Sequence, residues 1–309
     1  MSSNTSINRM LLVAVIVLAV ALAVILIYFL ILKPPTTTTH QGKSSSSSSS
    51  SQSSTSAQTS MITLAFERGV ENWLGLMCVY DKYGSNATLG LLNDIYTIAY
   101  SYIYKYAQTN NITYQILFPI AQYQYLTSKY SECTINESDQ HLVNIVLNTL
   151  NDVNTMAIIL NIPSNLLGTP LFIVFDRVNN VTYVLAGASP YVFYAIDYAK
   201  AGNLTVLVYR GQELGYGFKA NSAQVSFINK LISSGLSIGN VNANVTVIEF
   251  LDPECSYCAI FQLEYGGYLE QLISNGTIHY VIQYFPTHVL AYGCSTPTIA
   301  SMLGTICQG

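Results

Sequence analysis

Cys255-Ser256-Tyr257-Cys258 is the segment whose residue types and spacing bear most directly on chemistry. It follows Val245-Thr-Val-Ile-Glu-Phe-Leu251, an apolar, β-branched run with strand propensity. Asp252-Pro253-Glu254 breaks that strand, and Cys258 to Tyr265 continues at helical period. The first sulfur is thereby expected at a helix N-terminus, where unpaired N–H groups and the helix dipole favour a thiolate. A thiolate is the attacking species in disulfide exchange, and a two-residue spacer holds a second sulfur ready to resolve the mixed disulfide. Exchange by this pair requires the sulfur of Cys255 to lie open at the helix tip, more easily ionised than a free thiol, with Cys258 just behind it. A permanent bridge and half of a zinc site are the alternatives. His279, His288, Cys294 and Cys307 are available as further zinc ligands, but there is no second Cys-x-x-Cys, and no metal is expected.

The neighbours admit two readings each. Glu254 is either a solvated turn acid or a negative charge that opposes thiolate formation next door. Tyr257 either tunes the pair or merely packs. The tyrosine-rich runs Tyr100 to Tyr106 and Tyr123 to Tyr125 read as core and surface filler, and His40 and His141 have no partner at metal spacing. Cys78, Cys133, Cys294 and Cys307 complete six cysteines, most simply two structural bridges plus one exchanging pair, with the connectivity open.

Residues 1–9 form a short tail, and Met10 to Leu32 is an unbroken apolar run. At 1.5 Å rise per residue that run is long enough to cross a bilayer core of ~30 Å, and it is read as an uncleaved membrane anchor. Residues 33–60, rich in Ser, Thr and Pro, read as a flexible, O-glycosylated stalk. Asn86, Asn111, Asn136, Asn180, Asn203, Asn244 and Asn275 each head an Asn-x-Ser/Thr sequon. Stalk and sequons together suggest a glycoprotein, single-pass, with its globular part outside the cytoplasm. Charged residues make up only 9% of the chain, so Tyr, Asn, Ser, Thr and Gln must supply much of the wet surface. A net charge of −4 without a basic cluster argues against nucleic acid as a partner.

Along the rest of the chain, Met61 to Phe66 and Asn111 to Phe118, the latter stopped by Pro119, read as strands. Gly90 to Tyr106 and Glu137 to Leu160 carry apolar residues at helical spacing, the second with Ser138 as a cap. Gly168-Thr169-Pro170-Leu-Phe-Ile-Val-Phe175 and Val181 to Leu185 flank Asn179-Asn180 and form a hairpin, followed by a helix from Tyr191 to Ala201. Leu204 to Tyr209 is strand-like, Ala223 to Ser233 helical, and residues 216–244 serve as a connector. Gly266-Gly267 should weaken the helix after Cys255, and Thr277 to Phe285 is a strand stopped by Pro286.

Val245 to Cys258, a helix, then Ile278 to Pro286 resembles the DsbA/DsbG-type branch of thioredoxin-like thiol:disulfide oxidoreductases. The resemblance covers residues 245–309 and implies that Cys255 attacks and Cys258 resolves. Gly168 to Phe175, the following strand and the segment Leu185 to Phe193 look like the same family's cis-proline strand and closing end. This implies a cis Pro170 and, with Thr169 and Tyr257, a substrate-contacting set. Taken with the two early strands, it suggests a first thioredoxin-like domain at 61–215 that lacks a Cys-x-x-Cys pair, since the stretch Glu67 to Tyr83, at its active-site position, holds Cys78 alone. The expected fold class is therefore α/β, with thioredoxin-like domains in tandem behind an N-terminal transmembrane helix. In the family the cis-proline and two further strands follow the cysteine helix, whereas here the second unit, 245–309, stops short of them. Thr296-Pro297 is a poor substitute, and the hairpin at Gly168 is the internal donor available.

The expected activity is thiol–disulfide exchange on protein clients, with an unidentified redox partner for regeneration, membrane attachment through the N-terminal helix, and no cofactor, because electrons pass between sulfurs. The alternative is a surface-displayed binding or structural protein on a degenerate thioredoxin-like scaffold.

Overall fold

The computed structural model describes residues 51–308, with side chains from residue 58. The expected anchor at 10–32 and the stalk as far as residue 50 lie outside the described residues. The first described element, α1 (Ser51–Tyr83), takes up the remainder of the expected stalk and also Met61–Phe66, which is helix rather than strand. The reason is visible over a longer window. Ala65, Phe66, Val70, Trp73, Leu76 and Val79 are buried at helical spacing, and they outweigh the short β-branched start. The second expected early strand is helical too, as α3 (Ile112–Lys129), after α2 (Ser85–Thr109). Asn111 caps α3 by accepting Thr113 N–H at 3.0 Å. Pro119 sits inside α3, where it deprives the Gln115 carbonyl of its usual partner. That carbonyl instead accepts the Tyr292 hydroxyl at 3.4 Å. α4 (Asp139–Leu160) follows with Ser138 as its cap, as the spacing indicates. By length and hydropathy α4 could cross a membrane, but Leu142, Val143, Val146, Val153 and Met156 are buried within the protein.

The strands are β1 (Leu171–Asp176), β2 (Val181–Ala186), β3 (Val206–Tyr209), β4 (Gln212–Lys219), β5 (Leu236–Gly239), β6 (Val245–Leu251) and β7 (Ile278–Tyr284). They form one sheet in the order β3-β4-β2-β1-β6-β7-β5. Only β6 and β7 run parallel; all other neighbours are antiparallel. Strands from both sides of the expected 215/245 boundary therefore share a single sheet, in place of two sheets in tandem. β1 pairs with β6 from Leu171↔Phe250 to Asp176↔Val245, so the hairpin completes the sheet that the cysteine strand begins. The expected connector holds the second half of β4 and all of α6 (Ser222–Ser234) and β5. β4 escapes sequence notice because its glycines lower strand propensity. Gly217 nonetheless lies against the Tyr183 ring, where an added Cβ would sit 2.4 Å from the ring carbon.

Both faces of the sheet are covered, which is why β1 is apolar at every position but Asp176 and β6 at every position but Thr246 and Glu249. On one face Phe172, Val174, Tyr183, Val247 and Tyr280 pack beneath α1, α2, α5 (Tyr191–Lys200) and α7 (Ser256–Ser274). On the other, Ile173, Phe175, Ile248 and Val281 meet α4 and α6. A third cluster joins α1 and α4 to α8 (Thr287–Cys294) and α9 (Pro297–Leu303) through Phe66, Val143, Val289 and Ile299. α7 continues through Gly266-Gly267, and Pro297 opens α9 rather than a cis-proline turn. Cys78–Cys133 and Cys294–Cys307 form disulfides, and Cys255 and Cys258 are free thiols.

Phe172 on β1 packs tilted against Phe261 on α7 with ring centroids 4.7 Å apart. Truncating Phe172→Ala should cost about 3–5 kcal/mol and lower hydrogen-exchange protection along 256–274 as well as in the hairpin. Unchanged protection of that helix would mean that the hairpin and the cysteine helix belong to separate folding units.

Candidate functional site

Cys255 occupies the N-cap of α7 in an extended conformation, the position its spacing indicates. Its Sγ accepts the Cys258 backbone N–H at 3.2 Å, so one unpaired helix-terminal donor points at the sulfur. The same Sγ donates to the Thr169 carbonyl at 3.3 Å. Thr169-Pro170 is a cis peptide, and it enters β1. Two segments 86 residues apart thus meet at one sulfur because β1 and β6 are sheet neighbours. Of the residues singled out in the sequence, Cys255, Cys258, Thr169 and Pro170 converge. Tyr257 also lies beside them on the chain, but the residue is 61% exposed.

The expectation of an open thiol is overturned: Cys255 and Cys258 are both 0% exposed. Thr169 and Ser256, which adjoin Cys255, are half-buried, so the sulfur lies a single layer below the surface. Glu254 is likewise fully buried and not a solvated turn acid. Its Oε1 accepts Asn72 Nδ2 at 3.0 Å, and Asn72 Nδ2 also reaches the Pro119 carbonyl. Gln122 Nε2 donates to the Pro253 carbonyl at 2.9 Å and to the Ile95 carbonyl at 3.0 Å. The Asp252-Pro253-Glu254 break is consequently clamped from α1 and α3. Sequence inspection passes over Asn72 and Gln122, because isolated amides in helices carry no motif.

Asp252 organises the other flank. Its Oδ2 accepts His288 N–H at 2.7 Å and the Thr287 hydroxyl at 3.2 Å, and it faces His288 Nδ1 at 3.5 Å. Thr287 Oγ1 lies 2.9 Å from Thr169 Oγ1, which closes the ring back to the cis-proline turn. Burial opposes ionisation of Asp252, but hydrogen bonds from His288 and Glu254 hold its carboxyl below the usual range. Glu254 goes the other way: burial, then the neighbouring Asp252 charge, keeps it protonated. Keeping the proton on Glu254 avoids two like charges side by side.

The two sulfurs are separated in the same manner. Burial resists ionisation of Cys255, yet the Cys258 thiol, the His288 charge and the Thr169 side chain bring it down to about 7. Burial and the nearby Cys255 push Cys258 well up. Beneath them Glu249 on β6 is pushed up to about 8, first by burial, with Cys255 adding to it and a hydrogen bond from Tyr280 at 2.5 Å opposing. A carboxylate inside the apolar run 245–251 was the available signal for Glu249. Cys255 therefore ionises first while its partner keeps a proton, which is the asymmetry that sequential thiol attack needs. Among the described residues no group of three or more His, Cys, Asp or Glu is arranged to hold a metal. Cys294 and Cys307, the candidate further ligands, are bonded to one another.

Unfolded Glu249 would deprotonate near its ordinary value of 4.5, folded Glu249 at about 8. Between those values the native state holds the extra proton, so its stability falls as pH rises, by on the order of a few kcal/mol. Denaturant midpoints measured across that window should decline for the wild type and flatten for Glu249→Gln. Parallel profiles would show that Glu249 titrates normally.

A family model described as Thioredoxin matches residues 233–302, the stretch from the end of α6 through β5, β6, α7, β7 and α8 into α9. No curated protein and no solved structure matches the chain. The matched segment is thioredoxin-like within a mixed α/β protein, and it contains both free cysteines.

Proposed function

We propose that this chain is a membrane-anchored, extracytoplasmic thiol–disulfide oxidoreductase of the DsbA/DsbG type, acting on protein clients through Cys255 and Cys258. The observation that carries this reading is the contact between Cys255 Sγ and the Thr169 carbonyl, directly before cis-Pro170, at the head of a helix. The thioredoxin match over 233–302 supports it, as do two disulfides elsewhere in the chain, which favour an oxidising compartment. All seven sequon asparagines, from Asn86 to Asn275, are exposed, in keeping with glycosylation outside the cytoplasm. The anchor rests on the apolar run at 10–32.

In the reducing direction the Cys255 thiolate attacks one sulfur of a client disulfide. A mixed disulfide forms, and the client's other sulfur leaves as a thiolate and takes up a proton. Cys258 then attacks Cys255 Sγ, and its proton passes to the departing client sulfur. The mixed bond breaks, the client departs with two thiols, and the pair is left oxidised by two electrons. Client oxidation is the same sequence reversed. Because the Cys255 sulfur is covered, exchange requires the Thr169 turn or the start of α8 to move aside as the client enters.

That burial also favours the second reading, a surface-displayed binding or structural protein on a degenerate scaffold. Turnover of a small disulfide separates the two. Cys255→Ser should abolish reduction of the disulfide, and Cys258→Ser should accumulate a Cys255-linked mixed disulfide detectable by mass. A wild-type protein with no turnover, indistinguishable from Cys255→Ser, would favour the scaffold.

A further inference from the structure

We propose that His288, fixed by Asp252 at the start of α8, is a positioning residue whose positive charge keeps the Cys255 sulfur reactive in mildly acidic surroundings. This rests on the exchange reading of the same pair, and it assigns to the site a pH dependence and a residue outside the Cys-x-x-Cys segment.

The geometry begins with Asp252, whose backbone carbonyl accepts Cys255 N–H at 2.9 Å. Its carboxylate holds the backbone and ring of His288, while the adjoining Thr287 reaches Thr169, whose carbonyl receives the Cys255 thiol. His288 is therefore tied to the cysteine loop on one side and to the cis-proline turn on the other. The charged and titratable groups facing it are few. Asp252 comes from the β6–α7 break, with protonated Glu254 behind it; Cys255 comes from the head of α7; and Tyr292 lies one turn on in α8. Its remaining side borders a cavity of about 370 Å³ to which α1 and α3 contribute Gln58, Ile62, Ile112, Gln115 and Ile116, none of which titrates. Burial alone would strip His288 of its proton, but the Asp252 contact and the Cys255 charge favour the imidazolium, and they prevail. The charge acts twice. It attracts the thiolate, and it offsets the Asp252 carboxylate that would otherwise repel it.

The test is the pH profile of Cys255 alkylation in the reduced full chain, with the modified peptide identified by mass. His288→Gln removes the charge and keeps a polar amide; His288→Lys keeps the charge. The midpoint should rise by about one unit in His288→Gln, a roughly tenfold slower reaction at a pH below both midpoints, and return toward wild type in His288→Lys. An unchanged midpoint in His288→Gln overturns the proposal. So does a shift that lysine does not reverse, because His288 would then act by shape and not by charge. Thermal melts of each variant identify any loss of fold. Wild-type turnover of a small disulfide is measured alongside. Turnover with an unchanged midpoint defeats this inference alone, whereas a charge-dependent midpoint without turnover defeats the exchange reading alone.

Discussion

The antiparallel pairing of β1 with β6 is the constraint on which the rest of the structure depends. Its register, Leu171 opposite Phe250, sets Pro170 beside the end of the cysteine strand and brings the Thr169 carbonyl onto Cys255 Sγ. A one-residue slip would exchange the two buried faces of β1, moving Phe172 away from Phe261 and Ile173 into its place. Both faces are packed, so such a slip has no favourable alternative. The position of the site is a consequence of core packing more than of any interaction within the site itself.

Around this sheet the helices do two kinds of work. α2, α5 and α7 cover one face with apolar side chains, whereas α1 and α3 deliver Asn72 and Gln122 into the strand break before Cys255. Buried amides are costly unless bonded, and here their partners are the backbone of Pro119, Ile95 and Pro253 and the carboxyl of Glu254. The Cys78–Cys133 bridge ties the end of α1 to the turn after α3, closing a loop of 55 residues, for which chain-entropy reasoning suggests about 4 kcal/mol. The helices that clamp the cysteine loop are thus themselves held together covalently.

Electrostatically the site is a set of unequal pairs. Asp252 is ionised beside neutral Glu254, and Cys255 ionises before Cys258, each pair split by different partners under nearly identical burial. The low dielectric that makes a buried charge costly also makes each fixed dipole and neighbouring charge more effective. A sulfur one layer below the surface can in this way be both protected and poised.

The cysteine strand, its helix, the following strand, the hairpin and the long helix at 139–160 were all legible in the sequence, because each has a clear period and a breaker or cap at its end. Met61–Phe66 and Ile112–Phe118 read as strands because their helical period emerges only over a longer window, and Pro119, which reads as a stop, lies inside α3 with the freed Gln115 carbonyl accepting the Tyr292 hydroxyl. β5 and the second half of β4 fall within the expected connector because glycine and serine dilute their pattern. By itself, then, the chain determined where the cysteine pair sits, between a strand and the head of a helix, since cysteine spacing and a strand-to-helix break are local properties. Tertiary structure alone decided that one sheet takes strands from both halves of the chain, that the cis-proline turn precedes the cysteines and still meets them, and that Glu254, Asp252 and His288 are drawn in. Those are questions of which buried faces match and where burial excludes water, and no run of neighbouring residues records them.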